Sequence, residues 1–260
     1  MVDVITKDVD FAVREKPVRV SVGGKYASAD GYRAMVRQDT GEILAINGSR
    51  YKTVDHRKNL ILVAKALGKI TTDFTVKHVV ENARIFSRFT IESDEILPGV
   101  GGEASRIAIE SYNSYDGSRS WEIGFSVWRK ICSNGMYGFA RELSLRKQHT
   151  RALKTETLVK NLGQALVAYK KAYVEFYEAL KGKKMIPDEN LEKTFTAKLI
   201  KSARDSFQRE IRITKEEDAW TQYNSFTRSI THDPKISEQY RQELHKQLAS
   251  LFLGFYNIAK

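Results

Sequence analysis

Cysteine is almost missing from this chain. Cys132 is the only one in 260 residues, so no intramolecular disulfide can form and a reducing compartment is the expected setting. Long apolar runs are missing too: none approaches the roughly 20 residues that a membrane helix needs. The N-terminus, MVDVITKDVDF, mixes acids into its apolar residues and lacks a basic leader, so it is not a signal peptide. Asn47-Gly48-Ser49 matches a glycosylation sequon; with no secretion signal it reads as a turn. These absences predict a protein of the host-cell cytoplasm with no membrane partner.

Catalytic signatures are equally scarce. Gly23-Gly24-Lys25 lacks the spacing of a phosphate loop, and Gly99-Val100-Gly101-Gly102 follows no clear strand. The five histidines are scattered without metal-ligand spacing. No Gly-x-Ser-x-Gly elbow occurs, and Cys132 has no evident base beside it. Asp94-Glu95 and Glu103 sit on a Gly-rich loop that they are expected to solvate. The sequence therefore nominates no catalytic residue and no cofactor.

What is present in excess is positive charge. Lys and Arg number 43 against 32 Asp and Glu, a net charge of +11 and a pI of about 9.5. Such a surplus favours polyanionic partners through counterion release and electrostatic steering. Hydrophobic and charged contents of 42% and 29% are those of an ordinary globular protein.

The two halves differ in texture. Residues 18–140 are rich in β-branched and aromatic residues broken by Gly, Asn and Asp. Residues 145–260 carry few turn signals and have helical spacing. Strands followed by helices predict an α+β fold. The expected form is an antiparallel β-sheet with one helix in residues 1–140, then a helical region, 141–260, packing on it as one compact unit. Val18–Val22 reads as a strand, Tyr32–Ile46 as a hairpin around Asp39-Thr40-Gly41, and Asp55–Leu67 as a helix stopped by Gly68. Phe74–Val80 and Ala83–Ile91 read as strands. Leu158, Leu162, Leu166, Tyr169, Tyr173, Phe176 and Leu180 mark one long amphipathic helix. Later helices are expected over about 191–212, 215–231 and 235–258.

The turn Tyr115-Asp116-Gly117 allows the register of a hairpin to be argued. A three-residue loop with a left-handed Gly117 sets Ile109 against Ile123 and Ile107 against Phe125, with Trp121 and Val127 on the same apolar face. The other face then carries Arg106, Glu110, Tyr112, Ser120, Glu122, Ser126 and Trp128, with Arg129 and Lys130 next along the chain. Trp128 is either covered by a helix or open as a platform for stacked bases, each contact worth roughly 1–3 kcal/mol. Glu110 and Glu122 face each other, which requires a neutralising arginine such as Arg106 or a bound magnesium or manganese ion.

Between Arg141 and Lys171 there are eight Lys and Arg against two Glu. Arg146, Lys147, Arg151 and Lys154 cluster at the front of this run. In a helix, Lys147, Arg151 and Lys154 would share one face, and the imbalance of sign points to phosphate contact rather than simple solvation.

Two stretches carry a resemblance. One is Tyr32-Arg-Ala-Met-Val-Arg-Gln-Asp-Thr-Gly-Glu-Ile-Leu-Ala45, running on to Ser49-Arg50-Tyr51. The other is Asn113-Ser-Tyr-Asp-Gly-Ser118 followed by Arg129-Lys-Ile-Cys-Ser-Asn-Gly135. They resemble a family of phages, prophages and plasmids known as phage/plasmid-like proteins of unknown function, with Ala45 and Tyr115 where that pattern has Gly and His. The family is distantly similar to phage single-strand annealing proteins, which build a curved sheet packed by helices and form rings. The resemblance implies Arg33, Arg37 and Arg129 as strand-groove residues.

The sequence thus predicts a phage or mobile-element protein that binds single-stranded DNA without sequence preference, as a homo-oligomer, in replication or recombination. Trp128, Tyr112 and Tyr115 are the expected stacking rings, and Arg129, Lys130, Arg146, Lys147, Arg151 and Lys154 the phosphate contacts. The alternatives are a phage inhibitor of an acidic host protein and a metal-dependent nuclease using Glu110 and Glu122.

Overall fold

A computed structural model describes residues 4–92, 105–129, 135–137, 145–147, 149 and 161–258. The fold is α+β: antiparallel strands fill the N-terminal half and helices the C-terminal half. Two compact units interleave along the chain. The first comprises Met1–Thr90, Ile109–Gly124 and Ser144–Gln164, and the second Ile91–Ala108, Phe125–Leu143 and Ala165–Lys260.

The first sheet has three strands in the order β1 (Val13–Val22), β2 (Lys25–Arg37) and β3 (Ile43–Gly48). Gly23 and Gly24 join β1 to β2 with φ of +55° and +79°. Two successive positive φ values define the tight hairpin turn that glycine supplies without strain, and Val22 pairs with Lys25 across it. The second hairpin turns at Asp39-Thr40-Gly41, as its sequence predicts. Met35, Ala34 and Val36 of β2 are buried, whereas most of β1 and the far end of β2 are exposed.

Helix α1 (His56–Leu67) starts where Asp55 accepts hydrogen bonds from the backbone N–H groups of Arg57 and Lys58. Its apolar stripe, Leu60, Val63 and Leu67, is buried. Gly68 ends it, although in the right-handed region at φ −61° rather than the left-handed one.

The second sheet runs β4 (Phe74–Glu81), β5 (Arg84–Ile91), β6 (Ser105–Ser114), β7 (Trp121–Arg129) and β8 (Gly135–Tyr137), with β9 (Leu145–Lys147) also paired to β7. Gly117, between the end of β6 at Ser114 and the start of β7 at Trp121, has φ +72°, the left-handed conformation expected of it. Ile107, Ile109, Trp121, Ile123, Phe125 and Val127 are buried as expected. The opposite side is covered as well: Glu110, Tyr112, Glu122 and Ser126 are all buried.

The described part of the front of the basic run, residues 145–147, is not helical. Leu145–Lys147 is a strand, with Lys147 opposite Trp121, Arg146 opposite Glu122 and Leu145 opposite Ile123. Backbone pairing to β7 overrides the helical spacing here, so the i, i+4, i+7 face predicted for Lys147, Arg151 and Lys154 does not begin at Lys147. Arg151 and Lys154 lie outside the described residues.

The helices are α2 (Leu162–Leu180), α3 (Asp188–Leu191), α4 (Ala197–Thr214), α5 (Ala219–His232) and α6 (Glu238–Phe255). In the second unit Tyr169 of α2 stacks on Phe125 of β7 at 5.2 Å between centroids. Nearly all of α5 is buried, and its Tyr223 meets Phe176 of α2 and Phe252 of α6 edge-on, each at 5.0 Å. Asp218 caps α5 through Thr221 N–H at 2.9 Å and also accepts from Gly182 N–H at 2.8 Å. No helix among the described residues is long and apolar enough to cross a membrane.

Candidate functional site

The predicted stacking rings fall in three environments. Tyr112 is 3% exposed and Tyr115 is 1% exposed, so neither shows a face to solvent. The ring of Tyr112 is covered by the guanidinium of Arg119 at 4.3 Å and meets Phe86 edge-on at 5.5 Å. Tyr115 is part of a buried polar cluster described below. Both are packing residues, which corrects their expected place on an open platform. Trp128 is partly buried, and its indole Nε1 donates to Ser126 Oγ at 2.9 Å.

Glu110 and Glu122 are buried, and each has its own cation. Glu110 accepts from Arg88 Nε at 2.7 Å, and Glu122 lies 3.9 Å from Arg119. Arg106, the cation expected for them, pairs instead with Glu92. Arginine beside each carboxylate offsets the cost of burying it. Among the described residues no group of three or more His, Cys, Asp or Glu side chains is placed to hold a metal ion.

The Asn113–Ser118 stretch is tied down at every step. Asn113 Nδ2 donates to Val54 O at 3.0 Å, and Tyr51 Oη donates to Ser114 O at 2.5 Å. Asn47 Nδ2 donates to Tyr115 O at 2.6 Å, and Asp116 accepts from Ser118 N–H at 2.9 Å. Arg84 reaches Ser118 Oγ at 2.9 Å and Asp116 at 3.8 Å. Hydrogen bonds from Ser118 and the charge of Arg84 hold the Asp116 carboxyl below its ordinary range in spite of partial burial. Tyr51 in turn stacks on His149 at 4.9 Å, and His149 Nδ1 donates to Lys52 O at 3.1 Å. These links fasten the turn to β3 through Asn47, to the segment between β3 and α1 through Tyr51 and Val54, and to β5 through Arg84. The motif that carried the resemblance is therefore a structural lock inside the first unit.

The cationic candidates also separate. Arg37 is held by Asp39 at 2.7 Å and lies 3.9 Å above the ring of Phe11, and this pairing keeps Asp39 below its usual range. It is a turn staple rather than an available phosphate contact. Arg33 Nη1 donates to Tyr32 O at 2.7 Å and to Asp30 O at 3.3 Å, neutral carbonyls that leave its charge unmatched. Arg129 ends β7, and Arg146 and Lys147 lie in β9. Lys130 lies outside the described residues.

Sequence reasoning passed over the place where exposed rings and cations do coincide, the first sheet. Strands β1 and β2 hold Arg14, Lys16, Arg19, Lys25, Arg33 and Arg37 against only Glu15 and Asp30, six cations to two acids. Arg14, Lys16, Arg19 and Lys25 are exposed. Tyr26 is 77% exposed and Tyr32 54%. The signal was legible in the sequence as Gly-Gly between a β-branched, basic segment, Val18–Val22, and Lys25-Tyr26.

The second unit contains a cleft of about 400 Å³ lined by Met185, Ile186, Leu191, Ile200, Phe207 and Phe226, among others. Its polar groups are already engaged. Gln222 bonds both the N–H and the carbonyl of Ile186, at 2.8 and 2.9 Å, and Arg204 pairs with Asp188.

No curated protein and no solved structure matches the chain. A family described as Domain of unknown function (DUF932) matches residues 43–251. That span runs from the first residue of β3 into α6, and it leaves β1 and β2 outside. Because the match covers most of the sequence, the chain belongs to the DUF932 family.

Proposed function

We propose that the protein binds single-stranded nucleic acid, DNA in the first instance, without sequence preference, and serves replication or recombination of a phage or other mobile element by covering or annealing strands. The observation that carries this is the pair of strands β1 and β2, where Arg14, Lys16, Arg19, Lys25 and Arg33 outnumber Glu15 and Asp30 and the rings of Tyr26 and Tyr32 stand in solvent. Single strands are held by this pairing of ring faces for bases with cations for phosphates. The charge ledger points the same way. Glu110, Glu122 and Glu210 are buried beside Arg88, Arg119 and Arg228, so those pairs are neutral and the surplus of +11 resides in the rest of the chain. Of the sequence candidates, Arg33 stays in this assignment, with Trp128, Arg129, Lys130, Arg146, Lys147, Arg151 and Lys154 as further contacts to be tested.

Gel-shift titrations with single- and double-stranded oligonucleotides at several salt concentrations test the proposal. The expected result is preference for the single strand, with log K falling against log salt by about 0.7 per phosphate contact. No binding at low salt rejects it. Capture of one stoichiometric acidic protein from nuclease-treated lysate, with no binding of oligonucleotide, would favour an inhibitor instead.

A further inference from the structure

The strand pairing of β2 with β3 stops at Tyr32 opposite Gly48, with one further hydrogen bond from Ser49 N–H to Gly31 O at 2.9 Å. Beyond that point β1 and β2 continue as a two-stranded ribbon whose pairs are Arg19–Ser28, Val20–Ala27, Ser21–Tyr26 and Val22–Lys25. Every residue from Arg19 to Ser28 is exposed. The four pairs span roughly 10 Å at 3.4 Å per residue. Alternation puts Arg19, Ser21, Tyr26 and Ser28 on one face and Val20, Val22, Lys25 and Ala27 on the other. The ribbon contains two cations and no acid. A ribbon that buries nothing is marginal alone in water, so its exposed ring, Tyr26, and its valines are best accounted for by an occupant.

We infer that this ribbon is the arm that engages the nucleic-acid strand, with Tyr26 stacking on a base and Arg19 and Lys25 pairing with phosphates. The inference rests on the nucleic-acid assignment above and names the element responsible for it. Charge selects the occupant. A second copy of the chain adding to the exposed edge of β1 would meet Pro17, which has no N–H to donate, and would bring Arg14, Lys16 and Arg19 against their own counterparts. A polyanion meets no such obstacle, because the cations that repel a second ribbon attract phosphate. Arg19 shares the face of Tyr26, so a cation and a ring are presented together, the combination that strand binders use, and Lys25, on the opposite face beside the turn, meets phosphate where the strand passes over the end of the ribbon. The ribbon precedes residue 43 and so lies outside the span matched to DUF932.

The test uses the full chain in three forms: wild type, a triple variant Arg19→Ala, Lys25→Ala, Tyr26→Ala, and Tyr26→Trp. All three substitutions fall on exposed positions, and circular dichroism establishes that the fold is retained. The triple variant should bind a single-stranded oligonucleotide at least tenfold more weakly than wild type. Its salt slope should be shallower by about 1.4, two contacts at 0.7 each. The fluorescence of Tyr26→Trp should be quenched on strand binding. If wild type and triple variant bind alike and the Trp signal does not respond, the ribbon is not the arm, while the nucleic-acid assignment stands. If wild type binds no oligonucleotide, both fall. A wild-type oligomer that the triple variant disperses, with strand binding unchanged, would assign the ribbon to self-assembly and overturn the inference.

Discussion

The Nδ1 atom of His56 lies 2.6 Å from the hydroxyl oxygen of Tyr115, and both side chains are buried. The roles of the atoms follow from their partners. Val9 O, 2.6 Å from Nε2, can only accept, so Nε2 carries the proton. A neutral imidazole then has a lone pair on Nδ1, and Tyr115 donates to it. The backbone N–H of His56 bonds the same hydroxyl at 3.4 Å. One phenol thus fixes the tautomer of a buried histidine at the start of α1.

Tyr115→Phe keeps the ring and removes the hydroxyl. Nδ1 of His56 is then a buried acceptor without a donor, which costs about 1–3 kcal/mol. The midpoint of urea unfolding should fall accordingly. An unchanged midpoint would show that the hydroxyl is not integral to the lock.

Acid should weaken the first unit before its carboxylates titrate. Burial lowers the pKa of His56, His78 and His149 from the ordinary 6.5. The unfolded chain therefore binds more protons than the folded one below about 6.5. Stability is complete above that value and declines as pH falls from it toward the lower folded-state values. Asp39 and Asp116 are shifted down, so their contribution is lost only at still lower pH. Urea midpoints measured from pH 7.5 to 5.0 should drop across this window; a flat profile contradicts the neutral state of the three rings.

Arg88→Ala removes a cation from beside the buried Glu110 carboxylate in the second sheet. Breaking a buried pair on one side costs about 3–5 kcal/mol, and the part of Arg88 that reaches solvent favours the lower end of that range. The double variant Arg88→Met, Glu110→Leu should recover much of the loss, because it removes the uncompensated charge. Chemical denaturation of the two variants measures the difference; equal losses would show that the ion pair is not what the site requires.

Asp218 offers a graded test in the second unit. Its two oxygens serve different donors, Oδ1 the Thr221 N–H and Oδ2 the Gly182 N–H. Asp218→Ala removes a helix cap and a loop tether, about 2–3 kcal/mol together. Asp218→Asn keeps only one acceptor and should lose about half as much. Equal losses for the two would show that charge rather than the pair of bonds matters.

Much of the fold was legible because local chemistry agreed with it. Asp55 and Gly68 bracket α1, Asp39-Thr40-Gly41 turns the β2–β3 hairpin, and the stripe from Leu162 to Leu180 marks α2. The misplaced elements depend on distant partners. Leu145–Lys147 is a strand only because Trp121–Ile123 pairs with it. The polar side of β6 reads as solvent-facing by alternation, yet Glu110 and Tyr112 are buried there, satisfied by Arg88 and Arg119 from other parts of the chain. Alternation identifies two faces and does not say which will be covered. Of the candidate site, the cationic character was visible and its location was not. The aromatics next to the motif read as platforms, whereas the ring most open to water among the described residues, Tyr26, lies in a segment with no motif at all.

The hydrogen bond from His56 to Val9 has a bearing on where this chain can be cut. His78 leans on the same segment through Val4 O at 3.0 Å, and β3 has β2 as its neighbour in the first sheet. A truncation beginning at residue 43 would keep all of the similarity and discard the acceptors of two interior imidazoles along with the companion of its own first strand. Such a fragment should be less soluble and more protease-sensitive than the entire chain, so the edge of the matched span is not an edge of independent folding.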